Sequence, residues 1–402
     1  MRAERAFPPT DGQDAGPVLA IVSASFGQVS ETFVADHVRT LAPGRTVLVC
    51  QDGAGAEAFG LPVLADLGAE PQAPGALGRA RALVAPRLRR RFGYGPSIAA
   101  GERDRLAAFL RAHDVGVVLA EFGYSGAMVA EVCAGLGLPL HVYFRGHDAT
   151  RHRVMPSMAR RYRRMFPRLA GVFCVSRHLA DELVSIGCPE ALITVNPSGV
   201  DPACFPPTSA EPGRLLAVGR MVEMKAPHLT LRAFGHVAAR FPHAHLDLVG
   251  DGPLRPLAEA TVRELGLDGR VTFHGPLGHA AVAALMAHAA IFVQHSVTTP
   301  DGFVEGFPTA IAEAMSSELA VVATRHAGIP EHVRDGETGL LVAEGDVEGM
   351  GAAIARLLDD PGLARRMGAA GRRHALAHLD RAAARARVRD RLGLPEPEGV
   401  VP

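Results

Sequence analysis

Short apolar runs alternate with helical patterns through the first half of the chain. Continuous apolar runs of this length are typical of strands buried on both faces of a sheet, and helices between them predict parallel pairing. The predicted strands are Val18–Ser23, Thr46–Cys50, Val115–Ala120, Leu140–Phe144 and Val172–Val175. The predicted helices between them are Ser30–Leu41, Arg103–Ala112 and Ala127–Leu136.

The same alternation starts again after a proline-bearing segment, Pro202–Pro212, which we interpret as a linker. The second series of predicted strands is Arg214–Val218, His245–Val249, Val271–Phe273, Ile291–Val293 and Ala320–Ala323. Its predicted helices are Pro227–Ala239, Leu254–Leu265, Ala280–Ala289 and Pro308–Ser317. Two such series predict an α/β chain with two doubly wound, Rossmann-like domains that face each other across a cleft. We predict domains at 1–205 and 206–380, with a C-terminal helix and tail at 381–402.

Composition supports a two-domain globular protein. The 402 residues exceed what one ordinary core requires, and 48% hydrophobic with 21% charged residues is a soluble, folded composition. The formal net charge is zero, so attraction of the whole molecule to nucleic acid is not supported. The first 16 residues lack an apolar signal core, no run is long enough to span a membrane, and the five cysteines form no CxxC pair. We therefore expect a cytoplasmic protein with reduced thiols and no metal site.

Two glutamates, Glu305 and Glu313, stand eight positions apart around a loop that turns into a helix. Proline is tolerated at a first helical position, so we expect the helix to begin at Pro308, with Glu305 before it and Glu313 more than a turn inside. The free N–H groups of a helix start favour an anion such as a phosphate. Carboxylates beside a phosphate site suit the hydroxyl groups of a nucleotide sugar. The alternative is that both glutamates are solvated charges.

Two cationic residues follow the strand Arg214–Val218: Arg220, directly after Gly219, and Lys225. Lys225 is the only lysine in the chain, and every other residue of the Lys+Arg total is an arginine. Arginine binds phosphate oxygens in a bidentate manner and lysine supplies a point charge, so the pair could neutralise a leaving diphosphate. The alternative is that both are ordinary surface charges.

Three further loops end predicted strands and could contact a ligand. Gly27 would allow close approach of backbone to a ligand, although such turns often need glycine for shape alone. Arg145 and His147 follow Leu140–Phe144, and a hydrogen-bonded loop with Asp148 as helix cap is an equal alternative. Backbone groups near Gly275 could contact a nucleobase, or the segment could be only a turn.

Two arginine clusters contain no acidic residue. Arg79–Arg91 holds six arginines, and Arg151–Arg168 holds seven among methionines and aromatic residues. A basic amphipathic surface indicates peripheral contact with anionic lipid headgroups or with a phosphorylated acceptor. Solvated helix faces in an arginine-rich chain are the alternative, and no RNA-recognition motif accompanies the clusters.

Eight stretches of the chain resemble the retaining glycosyltransferases of family four, which have the GT-B fold. They are Ser30–Val34, Tyr143–Thr150, Cys174–Asp201, Leu215–Pro227, Leu248–Leu254, Val271–Gly278, Asp301–Ser316 and Val321–Val342. The spellings SETF and HAGIPE are most similar to the subgroup that builds exopolysaccharides and colanic-acid-type polymers. One departure is that the family's Lys-Gly pair is Lys225-Ala226 here. The resemblance also implies that the last helix returns to the first domain.

The resemblance implies a role for each matching residue. Arg220 and Lys225 would bind the donor diphosphate, Glu313 the ribose and Glu305 the transferred hexose, with a UDP- or GDP-hexose as donor and no cofactor. The family's donor-side histidine aligns with Arg145, and His147 lies two positions later, so either could face the sugar. Further donor contacts are expected from Gly27, Gly219, Gly275, Leu277, Gly306, Phe307, Pro308 and Thr309. The resulting prediction is a hexosyltransferase with a saccharide or lipid-linked acceptor; a nucleotide-sugar epimerase or an inactive binding subunit are the alternatives.

Overall fold

The structure is a computed structural model that describes residues 16–26, 32–68, 98–150, 155–207 and 209–396. Gly27 and the arginine cluster Arg79–Arg91 lie outside the described residues, as do Arg151 and Arg153 of the second cluster.

The first half of the chain forms a parallel sheet, as the apolar runs predicted. Its strands are β1 (Val18–Ser23), β2 (Thr46–Cys50), β3 (Val63–Leu64), β4 (Val115–Glu121), β5 (Leu140–Phe144), β6 (Gly171–Cys174) and β7 (Ile193–Val195). Among the described residues the strand order is β3-β2-β1-β4-β5-β6-β7. Every residue of β1, β2 and β5 is buried, because helices cover both faces of the sheet.

Helices separate most of these strands in the sequence. They are α1 (Thr32–Thr40), α2 (Ala100–Ala112), α3 (Gly123–Leu136), α4 (His147–Thr150), α5 (Met155–Met165) and α6 (Arg177–Ser185). The turn between β4 and α3 is strained, because Phe122 has a φ of 73°, a conformation that favours glycine. This turn follows the carboxyl end of β4 and packs beside His147, as described below.

The second half forms another parallel sheet. Its strands are β8 (Arg214–Val218), β9 (His245–Val249), β10 (Val271–Gly275), β11 (Ile291–Gln294), β12 (Ala320–Thr324) and β13 (Gly339–Val342), in the order β10-β9-β8-β11-β12-β13 among the described residues. Successive strand residues pack into different cores, Leu215 into one and Leu216 into the other, because side chains alternate across a sheet. Both faces are therefore covered, as in a doubly wound fold.

The helices of this half follow the predicted alternation. They are α7 (Pro227–Ala238), α8 (Arg255–Glu264), α9 (His279–His288), α10 (Thr309–Ser316), α11 (Ile329–His332), α12 (Val347–Asp359), α13 (Pro361–His378) and α14 (Arg381–Leu392). Several predicted helix ends in this half differ by one residue. The predicted start of α10 is wrong because Pro308 precedes the helix as its cap, with ψ at 122°, and α10 begins at Thr309. Glu313 nevertheless lies more than one turn inside α10, as predicted. None of the described helices combines the length and apolarity that a bilayer crossing requires.

The chain divides into two compact units. The first comprises Met1–Val175, Leu179–Asn196 and Arg385–Pro402, and the second comprises Ser176–His178 and Pro197–Ala384. In the first unit, Arg385 of α14 forms an ion pair with Asp36 of α1, and Arg387 donates a hydrogen bond to Asn196. The domain limits expected from the sequence, 1–205, 206–380 and 381–402, remain predictions.

Candidate active site

The two cations expected at the end of β8 lie on a loop that is held by a glycine turn. The Gly219 N–H donates to the carbonyl of Val249, and the Met221 N–H donates to the carbonyl of Asp251. Gly250 has a φ of 127°, and a Cβ there would come within 2.0 Å of the Gly219 carbonyl oxygen. Only glycine permits this approach, so the Gly250–Gly252 turn fixes the path of the loop.

Lys225 ends that loop and forms an ion pair with Glu305. The lysine Nζ lies 2.6 Å from Oε2 of Glu305, and the two side chains are 14% and 17% exposed. The next residue, Ala226, has a φ of 36° and precedes α7. The resemblance described above places glycine at this position in the family, and the positive φ is a physical reason for that preference. The structure thus brings together two residues that were predicted for one site from distant parts of the sequence.

Glu305 lies on a loop before α10 that long-range hydrogen bonds hold in place. Its backbone N–H donates to Nε2 of His326 at 3.0 Å, and the Gln294 amide lies 3.4 Å from its carboxylate. The Gly328 N–H donates to the carbonyl of Gly306 at 3.0 Å. A Cβ at Gly328 would come within 2.2 Å of that same oxygen, so glycine is required there.

Glu313 is buried in α10, with 6% exposure. Burial raises the pKa of its carboxyl group, and the positive charges of His279, Arg381 and Lys225 offset only part of that effect. The imidazole Nδ1 of His279 lies 3.8 Å from Oε1 of Glu313. A carboxylate buried near Lys225 therefore joins Glu305 in the same region of the second unit.

The remaining predicted donor contacts lie around these residues with different exposures. Phe307 packs its ring against His332, with 4.5 Å between centroids. Gly275 accepts a hydrogen bond from the Gly250 N–H at 2.8 Å, so the ends of β8, β9 and β10 are linked. Leu277 is 37% exposed, and Arg220 and Thr309 are exposed as well.

In the first unit, the Arg145 guanidinium belongs to a buried network. Its Nη2 lies 2.9 Å from Oε2 of Glu121, and its carbon lies 3.8 and 3.7 Å from the ring centroids of Phe33 and Tyr143. The other oxygen of Glu121 is 2.5 Å from Nδ1 of His37. Burial alone would raise the pKa of Glu121, but the interactions with Arg145 and His37 outweigh it and lower that pKa to about 2.

His147 lies at the start of α4 in a loop that Asp148 organises. The buried carboxylate of Asp148 accepts hydrogen bonds from the N–H groups of Gly123, Arg145 and Gly146 at 2.8, 3.1 and 3.0 Å. The His147 ring lies 5.1 Å from the ring of the strained Phe122. The expected hydrogen-bonded loop is therefore present, but Asp148 lies inside α4 and does not cap it, because its carboxylate accepts from residues before α4 and from Gly123 of α3. This loop fixes His147 next to the turn after β4.

Sequence reasoning missed His326 and Glu344 as members of the site. His326 is the first residue of the HAGIPE motif, and this motif is the sequence feature from which His326 could have been found. The protein has two doubly wound units, and this site lies at the carboxyl ends of the strands in the second one. This arrangement is that of the GT-B class of proteins.

Comparison with known proteins identifies the family. Residues 31–203 match the family model described as Glycosyltransferase Family 4, and residues 212–360 match the model described as Glycosyl transferases group 1. The two matches together span most of the chain. The protein belongs to glycosyltransferase family 4.

Two curated relatives are named for the biosynthesis of colanic acid and of amylovoran. The chain is 30% identical over 246 residues to the putative colanic acid biosynthesis glycosyltransferase WcaL of Salmonella typhimurium, covering 60% of each protein. It is 28% identical over 269 residues to the amylovoran biosynthesis glycosyltransferase AmsK of Erwinia amylovora, covering 65% of this chain and 64% of that protein. The matches thus span less than two thirds of these relatives.

Solved structures share the fold. The structure of Anabaena HepE in complex with UDP has a TM-score of 0.73 and 18% identity, covering 94% of this chain and 99% of that one. Sucrose-phosphate synthase from Thermosynechococcus elongatus has a TM-score of 0.69 and 19% identity, covering 92% and 96%.

Proposed function

We propose that the protein is a retaining glycosyltransferase that moves a hexose from a nucleotide sugar to a hydroxyl group of a saccharide or lipid-linked acceptor, in surface or exopolysaccharide biosynthesis. The observation that carries the proposal is the 2.6 Å ion pair of Lys225 and Glu305. Glu313 lies buried in the following helix. The names of relatives from colanic acid and amylovoran biosynthesis support the polymer context.

In the proposed reaction the protein stabilises charge and orients the donor. Lys225, Arg220 and the N–H groups at Thr309 stabilise the leaving diphosphate, and this charge makes the reaction independent of metal. Glu305 accepts hydrogen bonds from the hexose hydroxyls and Glu313 from the ribose. The acceptor oxygen bonds to the anomeric carbon as the bond from that carbon to the phosphate oxygen breaks on the same face. Because the new bond forms on the face that the phosphate leaves, the anomeric configuration is retained, and the acceptor's proton passes to the departing phosphate oxygen.

We assign the donor-side role in the first unit to His147 in preference to Arg145. The Arg145 guanidinium is 7% exposed in its ion pair with Glu121, so contact with a sugar would disturb a buried network. His147 is half-buried at a helix start. For the donor we propose UDP- or GDP-hexose. The HepE structures contain UDP or UDP-glucose, and a Mycolicibacterium smegmatis relative is named as GDP-mannose-dependent.

Calorimetric titration with UDP, GDP, ADP and TDP in the presence of a chelator tests the donor site. We expect one nucleotide to bind without metal, and Glu313→Gln to weaken its binding roughly tenfold or more, as for a lost charged hydrogen bond. Glu264→Gln, on the exposed surface of the same unit, should bind as the wild type does. Absence of binding by all four nucleotides would refute the proposed function.

The same Glu313→Gln variant should be at least as stable as the wild type at neutral pH. A pKa raised in the folded state means that stability falls as the pH rises from the unfolded pKa through the folded pKa, because the buried carboxyl then ionises. Glutamine keeps the shape and cannot ionise. A melting temperature below that of the wild type at pH ~8 would contradict this reasoning.

We further propose that α5 contacts anionic lipid headgroups at the inner face of the cytoplasmic membrane. Met158, Tyr162 and Met165 are buried, whereas Arg160 and Arg164 are exposed. A cavity of about 250 Å³ lies beside this helix, and its lining includes Arg161, Arg164, Arg168, Met128 and Met165. Arg103 and Glu131 also line it and form an ion pair at 3.4 Å, so three arginines remain to bind an anion. Clustered arginines around an apolar floor suit a phosphate that carries an acyl chain.

Vesicle sedimentation tests this contact. We expect binding to vesicles that contain phosphatidylglycerol and no binding to phosphatidylcholine alone. Charge reversal in Arg160→Glu/Arg164→Glu should lower partitioning roughly tenfold or more, at about 1 kcal/mol per arginine. The matched control is Arg356→Glu/Arg366→Glu on the second unit, whose arginines are exposed. Equal partitioning of both double variants would exclude α5 as the contact.

A further inference from the structure

We propose that His326 and Glu344 are positioning residues that set the orientation of the Glu305 loop for donor-sugar binding. The inference rests on the proposed function, because it assigns to these residues the alignment of a carboxylate that contacts the sugar. His326 reaches Glu305 only through the backbone N–H, and Glu344 acts through His326, so neither is proposed as a catalytic residue.

The two side chains form a continuous hydrogen-bonded chain behind Glu305. The Glu305 N–H donates to Nε2 of His326 at 3.0 Å, and Nδ1 of His326 lies 2.5 Å from Oε1 of Glu344. A nitrogen that accepts from an N–H carries a lone pair, so the proton of the neutral ring is on Nδ1 and donates to Glu344. The carboxylate therefore fixes the tautomer in which His326 can accept from Glu305.

Glu344 is itself held in place by several donors. The N–H and hydroxyl of Thr298 lie 2.7 and 3.2 Å from its two carboxylate oxygens. The neighbouring Gly345 N–H donates to Nε2 of His295 at 2.9 Å. Burial by itself raises the pKa of Glu344, but the hydrogen bonds from Thr298 and His326 outweigh it and lower that pKa. Glu344 thus stays ionised and oriented toward His326.

The position of this chain indicates a role in alignment rather than in general stability. The His326 side chain is fully buried, and burying a polar imidazole costs free energy that burying an apolar side chain would not. The loop that carries Glu305 has no regular secondary structure from Gly302 to Phe307, so hydrogen bonds must define its path. A binding carboxylate must be held to within about 0.5 Å to be effective, and the hydrogen bond from the Glu305 peptide to His326 contributes that constraint.

Two substitutions at His326 separate its two hydrogen bonds. His326→Gln places an amide oxygen near the Nε2 position, so it keeps an acceptor for the Glu305 N–H. His326→Asn places its amide near the Nδ1 position, so it keeps the contact with Glu344 and loses the one with Glu305. A residue that only fills space would respond similarly to both changes.

The measurement compares the affinity for a nucleotide sugar with that for its nucleoside diphosphate, using UDP-glucose with UDP and GDP-mannose with GDP. We expect His326→Asn to lower the gain in affinity that the sugar provides by roughly three- to tenfold, with nucleoside diphosphate affinity unchanged. His326→Gln should retain most of that gain. Hydrogen–deuterium exchange at the Glu305 amide should accelerate in His326→Asn and stay slow in His326→Gln.

The outcomes distinguish this inference from the proposed function. If the wild type gains affinity from the sugar and His326→Asn keeps that gain, the positioning role is refuted and the proposed function stands. If the wild type binds no nucleotide sugar, the proposed function fails and the positioning role fails with it. Should His326→Asn not fold, Glu344→Ala at a partly exposed position tests the same chain, with a reduced sugar gain expected.

Discussion

Replacing Lys225 with alanine should lower turnover about a thousandfold, the upper range for removing one group that stabilises developing charge. In the proposed reaction the diphosphate leaves with increasing negative charge, and the Lys225 ammonium is the partly buried cation beside Glu305. Low exposure strengthens its interaction with a phosphate relative to a surface lysine. Turnover is measured as nucleoside diphosphate released from the donor that the titration identifies.

Two further variants show whether the loss arises from charge at this position. Lys225→Arg keeps a cation but changes its shape, so we expect a partial loss. Arg232→Ala removes an exposed cation from the ion pair with Glu264 in the same unit and should leave turnover unchanged. A Lys225→Ala enzyme with turnover close to that of the wild type would remove Lys225 from the mechanism.

Some strands could be predicted to the residue and others only to within one or two residues. Thr46–Cys50 and Leu140–Phe144 have the predicted limits, because burial on both faces selects apolar residues along the strand. His245–Val249 also has the predicted limits, although it contains a half-buried histidine and a buried aspartate. The strands β3, β7 and β13 were missed, because each is a short strand of two to four residues at the edge of its sheet. Burial alone did not reveal them, since β13 is mostly buried.

The candidate site could be predicted only where its residues belong to a local motif. Glu305 and Glu313 share one loop and helix, and Lys225 is the single lysine. His326 is one of 18 histidines, and its partner Glu305 lies 21 positions away. Glu121 and His37 are 84 positions apart. Pairings over such separations depend on the order of strands in the sheet, which no local pattern contains.

Replacing Glu305 with alanine should also lower turnover about a thousandfold while the protein stays folded. In the proposed reaction its carboxylate holds the hexose hydroxyls, so its loss leaves the anomeric carbon misaligned with the acceptor. Lys225 and Glu305 both keep contact with water, so losing their ion pair should cost little stability. We expect a melting temperature within roughly 2–4 °C of the wild type. Glu305→Gln should lose less, because the amide still accepts one hydrogen bond.

The Lys225→Ala/Glu305→Ala double variant gives the most informative comparison, because the two side chains contact each other as well as the proposed donor. If each side chain acted independently on a different part of the donor, the two losses of activation free energy would add. The ion pair between them instead predicts a coupling free energy of about 0.5–3 kcal/mol. We therefore expect the double variant to be less impaired than the product of the single losses.

Glu264→Gln, whose carboxylate is exposed, should turn over normally. Turnover by Glu305→Ala equal to that of Glu264→Gln would show that the carboxylate does not hold the sugar, and a strictly additive double variant would show that the ion pair has no part in the reaction.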